Sequence, residues 1–242
     1  MTNKTIFALS TAQGKAGIAI VRLSGSKAFQ TAKQLCGSLP APRLAMVRNL
    51  VYNGDLIDKA IVICFCAENS YSGEDMVEFQ VHGSNAVLKN LSEILSIEFN
   101  LSVAEPGEFT RRALETGRID LSQAEGILDL IESETKEQQK QSLRCINGQL
   151  ADKTKDLKNL VIKGLSLVEI MIDFTDQDVP TDTIIDVISI VEKIISLLEE
   201  ELKRYSSSEL IRTGFDITII GKPNVGKSSL LNYLAGREKA IV

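Results

Sequence analysis

The sequence predicts an α+β N-terminal domain, an all-α helical domain and the truncated start of an α/β domain with a phosphate-binding loop. Residues 1–119 mix short alternating apolar segments with turns rich in glycine, serine and proline. Residues 120–213 show long helical periodicity with few helix breakers. Residues 214–242 place a glycine-rich motif between a strand pattern and a helix pattern.

Composition and charge narrow the classes of function. Hydrophobic residues make up 44% of the 242 residues and charged residues 24%, which is typical of a globular protein. The formal charge of −5 excludes a broad basic surface for nucleic acid, so any RNA contact must be local. No apolar run is long enough for a membrane span and no signal-peptide core follows Met1. We therefore expect a cytoplasmic protein without membrane contact.

The cysteines are expected to be reduced thiols. Their spacing lacks the paired C-x2-C pattern of a zinc site, and no secretory context favours a disulfide framework. They are Cys36, Cys64, Cys66 and Cys145.

Three strands are predicted in the first domain. Gly17–Leu23 is the first, and Ala60–Ala67 is so apolar that it is expected to be buried on both faces. The third begins at Met76 and alternates between apolar and polar residues. Its apolar side contains Val77, Phe79 and Val81, and its polar side contains Glu78, Gln80 and His82.

His82 is the only histidine of the sequence, which invites a catalytic interpretation. No cysteine, serine or second histidine is arranged around it in the sequence. We therefore interpret it as a polar residue at a strand end, and we assign no catalytic residue in this chain.

Three apolar stripes at helical spacing are expected beyond Asp120 to pack on each other and to be buried as core rather than to form a partner site. The second and third are separated at Asp173–Pro180. The first stripe is Leu121, Ala124, Leu128 and Ile131; the second is Leu157, Leu160, Val161, Gly164, Val168 and Ile172; the third is Ile188, Val191, Ile195, Leu198 and Leu202.

A phosphate-binding motif follows the helical region. Phe215–Ile220 is predicted to be a buried strand that leads into Gly221–Ser229, which matches G-x4-G-K-S. Its backbone amides can wrap a phosphate, Lys227 can reach the terminal phosphates, and the Ser228 hydroxyl can bind magnesium. The predicted helix Ser229–Leu234 directs its N-terminal dipole at the same anion.

The motif does not identify the base, because it contacts only phosphates, so guanine and adenine both remain open. No D-x-x-G and no N-K-x-D follows Ser229. The switch segments that position water and neutralise charge during hydrolysis are missing as well. We therefore expect little or no turnover from this chain alone.

Four stretches occur in a specific order along the chain. They are Gly17–Gly25, Asn69–Asp75 with Val77–Gly83, Pro106–Ala113 with Gly117–Glu125, and Gly221–Asn232 with Leu234–Glu238. Together they resemble the N-terminal part of the MnmE (TrmE) family of tRNA modification GTPases. The resemblance implies an N-terminal domain that binds folate and forms a homodimer, a helical domain, and a GTPase domain inserted within the helical domain. This chain would end inside that insertion.

The resemblance also implies site residues. The folate-contacting residues would be Arg22, Glu78 and Arg118. The GTP-binding residues would be Asn224, Val225, Gly226, Lys227, Ser228 and Ser229. Asn224 would also hold a potassium ion, and Ser228 would bind magnesium.

The implied function is modification of the wobble uridine of tRNA at C5, with an aminomethyl or carboxymethylaminomethyl group. GTP hydrolysis would accompany the reaction, 5,10-methylene- or 5-formyl-tetrahydrofolate would supply the one-carbon unit, and the flavoprotein MnmG (GidA) would be the partner. One alternative is a folate-binding dimerisation scaffold that does not hydrolyse GTP. Another is an unrelated ATP-binding α/β protein, which would leave residues 1–120 unexplained.

Overall fold

The computed structural model describes residues 4–173, 182–213, 218–223 and 225–236. The chain divides into two compact units. The first contains Met1–Ile131 and Ser142–Ala151, and the second contains Glu132–Gln141 and Asp152–Val242.

The described elements follow one another from an N-terminal sheet to long helices. In chain order they are β1 (Ile6–Leu9), β2 (Ala16–Ser24), α1 (Ala28–Cys36), β3 (Met46–Tyr52), β4 (Asp55–Phe65), β5 (Met76–Gly83), α2 (Asn85–Glu93, continued by a π-helical turn at Ile94–Glu98), β6 (Ser102–Val103), α3 (Glu108–Glu115), α4 (Leu121–Glu132), α5 (Lys136–Ile146), α6 (Gln149–Asp173), α7 (Asp182–Thr213) and α8 (Lys227–Ala235).

A mixed six-stranded sheet organises the first unit, in the order β3-β4-β5-β2-β1-β6. Neighbouring strands are antiparallel, except that β6 pairs parallel with β1. Helices α1 and α2 contribute to one hydrophobic core with β2, β4 and β5. We call the face of the sheet that points away from this core the second face.

The alternation predicted for β5 is confirmed. Val77, Phe79 and Val81 are at most 2% exposed and belong to the core. Glu78 therefore lies on the second face, because successive residues of a strand point to opposite sides. The first predicted strand is also confirmed, since β2 extends it by one residue at each end.

The prediction that the apolar strand Ala60–Ala67 is buried on both faces was wrong. Ala60, Val62 and Cys64 of β4 are at most 2% exposed, whereas Ile61 and Ile63 between them are only half-buried. The reason is that the hydrophobic core lies on one side of β4 only. An apolar run therefore indicates a strand without telling which of its faces a helix covers.

Helices α6 and α7 pack against each other in antiparallel directions within the second unit. Lys153 Nζ lies 2.6 Å from Glu201 Oε1 near one end of the pair. Near the other end, a side-chain carbon on Gly164 would come within 3.5 Å of Ile190 Cγ2. Ile190 is 9% exposed and is the buried apolar residue of this contact. The expected packing of the second helix on the third is thus confirmed.

The expected burial of the apolar stripes was wrong. Two paired helices cover only one side of each other, so most stripe positions remain open in the described part of the chain. The exposed fractions are 63% for Leu121, 54% for Leu128, 77% for Ile131, 41% for Val161, 37% for Val168, 65% for Ile172, 53% for Ile188, 47% for Val191, 49% for Ile195, 45% for Leu198 and 69% for Leu202.

The C-terminal elements differ in part from the prediction. Helix α7 continues to Thr213, and α8 begins at Lys227, two residues before the predicted start. The predicted strand Phe215–Ile220 is absent at residues 218–220, and its first residues lie outside the described ranges. Ile220 is 88% exposed, since no neighbouring strand pairs with this segment among the described residues. No described helix is long and apolar enough to cross a membrane.

Candidate functional site

An ion pair on the second face is the centre of the candidate site. The register of β2 and β5 places Arg22 directly opposite Glu78. Arg22 Nη2 lies 2.8 Å from Glu78 Oε1, and Nε donates to the same oxygen at 2.9 Å. The side chains are 25% and 13% exposed, so the pair is open on one side. Among the described residues no donor reaches Glu78 Oε2, which is left as an acceptor.

Two aromatic rings flank the Arg22 guanidinium. Its Cζ lies 5.5 Å from the ring centroid of Phe109 and 5.7 Å from that of Tyr71. Both distances are in the range of a cation–π attraction. The Tyr71 hydroxyl and Thr110 Oγ1 share a hydrogen bond of 2.8 Å, which fixes the tyrosine ring against α3.

Arg118 donates hydrogen bonds to the segment Cys66–Asp75, here called the 66–75 loop. Its Nε donates to the Ser70 carbonyl at 3.3 Å, and its Nη2 donates to the Glu68 carbonyl. The structure thus brings Arg22 and Glu78 into direct contact and connects Arg118 to the loop that carries Tyr71. Carbonyls at two loop positions fit the forked guanidinium, whose several donors can bind more than one acceptor.

A buried charged network lies beside this site, and Arg112 is its centre. Arg112 is 4% exposed, and its Nη1 and Nη2 each lie 2.9 Å from a carboxylate oxygen, of Glu74 and Glu108 respectively. The Ser24 hydroxyl donates to Glu74 Oε2 at 2.7 Å and lies 2.7 Å from Ser72 Oγ. The network therefore connects β2, the 66–75 loop and α3.

Both ends of the Arg112–Glu108 pair remain charged. Burial raises the pKa of Glu108, but the hydrogen bond from the Glu105 N–H and the pairing with Arg112 outweigh it, so that pKa is below its ordinary value. Burial lowers the pKa of Arg112, yet the carboxylates of Glu74 and Glu108 outweigh it and raise that pKa. Arg112 Nε is buried without a hydrogen-bond partner, the one such side-chain atom in the described part of the chain.

Sequence reasoning assigned no role to Tyr71, Glu74, Phe109 or Arg112. A signal for them was present, because all four belong to stretches that carry the family resemblance. An aromatic residue within an otherwise polar stretch was the specific clue for the two rings. The pairing of Arg112 with Glu74 joins residues 38 positions apart along the chain, and no local pattern reports it.

His82 lies at the exposed end of β5 and contacts Asp58. Its Nδ1 is 2.8 Å from Asp58 Oδ1, and its backbone N–H donates to Asp58 Oδ2 at 2.8 Å. Burial raises the pKa of Asp58, but these hydrogen bonds and the N–H of Lys59 outweigh it and lower that pKa. The contact with Asp58 accounts for the position of His82 as a polar residue at the end of a strand.

The phosphate-binding motif is described except for Asn224, which lies outside the described residues. Gly226 directly precedes α8 and has a φ of 92°. This left-handed backbone conformation favours glycine. Lys227 begins the helix, and its Nζ donates to the Lys222 carbonyl at 2.6 Å, closing the loop on itself. Ser228 and Ser229 occupy the first turn of α8, where backbone N–H groups are left without intrahelical partners.

Two family models match the chain. A model described as the GTP-binding protein TrmE N-terminus matches residues 5–118 and thus contains Arg22, Glu78 and Arg118. A model described as the MnmE helical domain matches residues 121–234. This chain belongs to the MnmE (TrmE) family.

MnmE-family relatives are similar along almost the whole chain. The tRNA modification GTPase MnmE of Roseobacter denitrificans is 48% identical over 238 residues, which cover 98% of this chain and 56% of the relative. The proteins of the same name from Dinoroseobacter shibae and Caulobacter vibrioides are 47% and 45% identical over 98% of this chain, and over 56% and 53% of their own lengths. The chain therefore spans about half the length of the curated relatives it matches.

Proposed function

We propose that this chain is part of a tRNA modification GTPase of the MnmE family and that its N-terminal unit binds a reduced folate. The observation that carries the proposal is the Arg22–Glu78 pair, with its open carboxylate oxygen and its two aromatic neighbours. The pair lies in the segment that matches the TrmE N-terminus model.

The residues of the pair suit a reduced pterin ring. Such a ring presents an amino group and ring N–H groups, which Glu78 Oε2 can accept. Arg22 is held by Oε1 of the same carboxylate, so its remaining N–H groups can donate to the ring carbonyl. Arg118, which is exposed beside the 66–75 loop, is proposed to bind the glutamate tail. When bound, 5,10-methylene- or 5-formyl-tetrahydrofolate would supply the one-carbon unit.

The other proposed parts follow the family. GTP would bind at residues 224–229, with potassium at Asn224 and magnesium at Ser228. The product would be an aminomethyl or carboxymethylaminomethyl group at C5 of the tRNA wobble uridine, made with the flavoprotein MnmG in the cytoplasm. The proposed domains are residues 1–119, 120–213 and 214–242.

A homodimer through the N-terminal domain is also proposed. A row of cross-strand neighbours on the second face supports it, since Val47, Ile61, Gln80 and Ile20 lie side by side across four strands. Val47 is 53% exposed, and Ile61 and Ile20 are only half-buried. A mostly apolar, uncovered row is typical of an interface. Light scattering that shows a monomer at all concentrations would contradict this proposal.

The alternative is a folate-binding dimerisation scaffold without GTP turnover. One observation favours it for this chain: residues 218–220 form no strand, and Ile220 before the phosphate loop is 88% exposed. A loop that is not supported by a sheet holds its amides less firmly around a phosphate. Titration with GTP and with ATP distinguishes these functions. Preference for GTP supports the family function, binding of neither nucleotide supports the scaffold, and preference for ATP contradicts the family function.

Calorimetric titration of the chain with 5-formyltetrahydrofolate tests the folate proposal. We expect saturable binding by the parent and a loss of about tenfold or more in affinity for Glu78→Gln, because the neutral amide turns an acceptor into a donor. Glu93→Gln is the matched control, since that carboxylate is 56% exposed on α2. The control should bind as the parent does. A folded parent that does not bind would refute the proposal.

A further inference from the structure

We propose that Tyr71 and Phe109 bind the planar pyrimidine half of a reduced pterin by stacking, beside the Arg22–Glu78 pair. The inference rests on the proposed folate function and deepens it, because it names the side chains that recognise the faces of the ring. Hydrogen bonds from the ion pair can recognise only the edge of that ring.

The two rings lie outside the hydrophobic core. The core and the apolar residues packed against it include Phe7, Phe79, Phe29, Tyr52 and Phe99, but neither Tyr71 nor Phe109. Both are half-buried, so each keeps part of its surface open. Burial in the core therefore does not account for their positions.

The position of Arg22 relates the two rings to the proposed ligand. Its guanidinium is within 5.7 Å of both ring centroids, and the same guanidinium holds Glu78. Both aromatic rings and the Glu78 carboxylate are therefore grouped around the same guanidinium. Stacking of a flat heterocycle on an aromatic side chain is a favourable and common mode of recognition.

The rings are fixed in place before any ligand binds. Tyr71 is held by its hydroxyl at Thr110, and the loop that carries it is held by Arg118 at the Ser70 carbonyl. Phe109 lies in the first turn of α3, between Glu108 and Thr110. Since Arg112 pairs with Glu108 and with Glu74 of the loop, loop and helix are held together. Such preorganisation lowers the entropy cost of binding.

The test compares Tyr71→Leu and Phe109→Leu with the parent chain by calorimetry, using 5-formyltetrahydrofolate and p-aminobenzoylglutamate, which lacks the pterin. Each variant is expected to bind 5-formyltetrahydrofolate about tenfold more weakly, or about 1.4 kcal/mol. Tyr71→Phe keeps the ring and loses only the hydroxyl contact with Thr110, so it should lose clearly less affinity than Tyr71→Leu. Phe99→Leu is the matched control, because Phe99 packs in an aromatic pair with Tyr52 elsewhere in the unit.

A second readout separates stacking from loss of structure. Stacking should reduce the near-ultraviolet absorption of the bound pterin in the parent complex, and each leucine variant should diminish this effect. If a variant does not fold, the parent spectrum decides: reduced absorption supports the inference, and unchanged absorption of the bound pterin overturns it.

The outcomes distinguish this inference from the proposed function. Parent-like affinity of both leucine variants overturns the stacking inference and leaves the folate function in place. Equal losses for 5-formyltetrahydrofolate and p-aminobenzoylglutamate also overturn it, because the contact would then be with the tail. A folded parent that binds no 5-formyltetrahydrofolate overturns both.

Discussion

Two adjacent arginines on α3 allow the contribution of the buried network to stability to be measured. The Arg112 side chain is 5% exposed and makes two ion pairs of 2.9 Å. Arg111 is 53% exposed, and its closest carboxylate contacts are 3.7–3.8 Å. Arg112→Ala leaves the buried Glu108 carboxylate without its closest cation, so we expect a loss of about 3–5 kcal/mol in the free energy of unfolding. For Arg111→Ala we expect a loss of about 0–1 kcal/mol.

The assay must report on the first unit alone, because the long helices of the second unit dominate circular dichroism. Hydrogen–deuterium exchange of peptides from β2 and β5 meets this need, since the slowest core amides report the free energy of opening. Arg112→Lys should recover part of the loss, because one ammonium can replace only part of the forked guanidinium. A loss below about 1 kcal/mol for Arg112→Ala, or an equal loss for Arg111→Ala, would refute the reasoning.

Two further predictions concern pH and backbone conformation. Because the pKa of Asp58 is lowered in the folded state, its charge stabilises the fold above pH about 4, and this contribution is lost as the pH falls through the folded pKa. Asp58→Asn, which weakens the contact with His82, should therefore destabilise the chain at pH 7 by about 1 kcal/mol, and the difference should shrink in urea unfolding at pH 3; a constant difference would contradict this. Gly73 and Gly107 both have a φ of 76°, but only at Gly73 would an added Cβ approach the Thr116 Cβ, at 2.7 Å. Gly73→Ala should consequently lower the melting temperature clearly more than Gly107→Ala, whose cost is the backbone strain of about 1–2 kcal/mol, and equal shifts would show that the overlap is relieved at no cost.

Local alternation was enough to predict the strand that carries Glu78. Val77, Phe79 and Val81 alternate with polar residues within a single segment, and one buried face produces this pattern without reference to any other strand. The partner of Glu78 was beyond such reasoning. Arg22 lies 56 positions earlier, and only the register of β2 against β5 places the two opposite each other.

The apolar stripes show the limit of periodicity most clearly. A helical stripe identifies which face of a helix is apolar, but it carries no information about what covers that face. Ile188, Ile195 and Leu202 were therefore correctly placed on one stripe and wrongly expected to be buried, with exposed fractions of 53%, 49% and 69%. The phosphate loop shows the same limit, since a motif specifies chemistry at a few positions while the sheet that supports it consists of distant strands.

The hydrophobic core also determines the geometry of the site, because one strand contributes to both. In β2, Val21 and Leu23 point into the core and are at most 2% exposed. Arg22 and Ser24 alternate with them and therefore point to the second face. A register shift of one residue would move Leu23 out of the core and a charged guanidinium into it, which costs far more than any single contact of the site contributes. The free energy of core burial therefore keeps Arg22 opposite Glu78, and substitutions in the site can change ligand affinity without loss of that register.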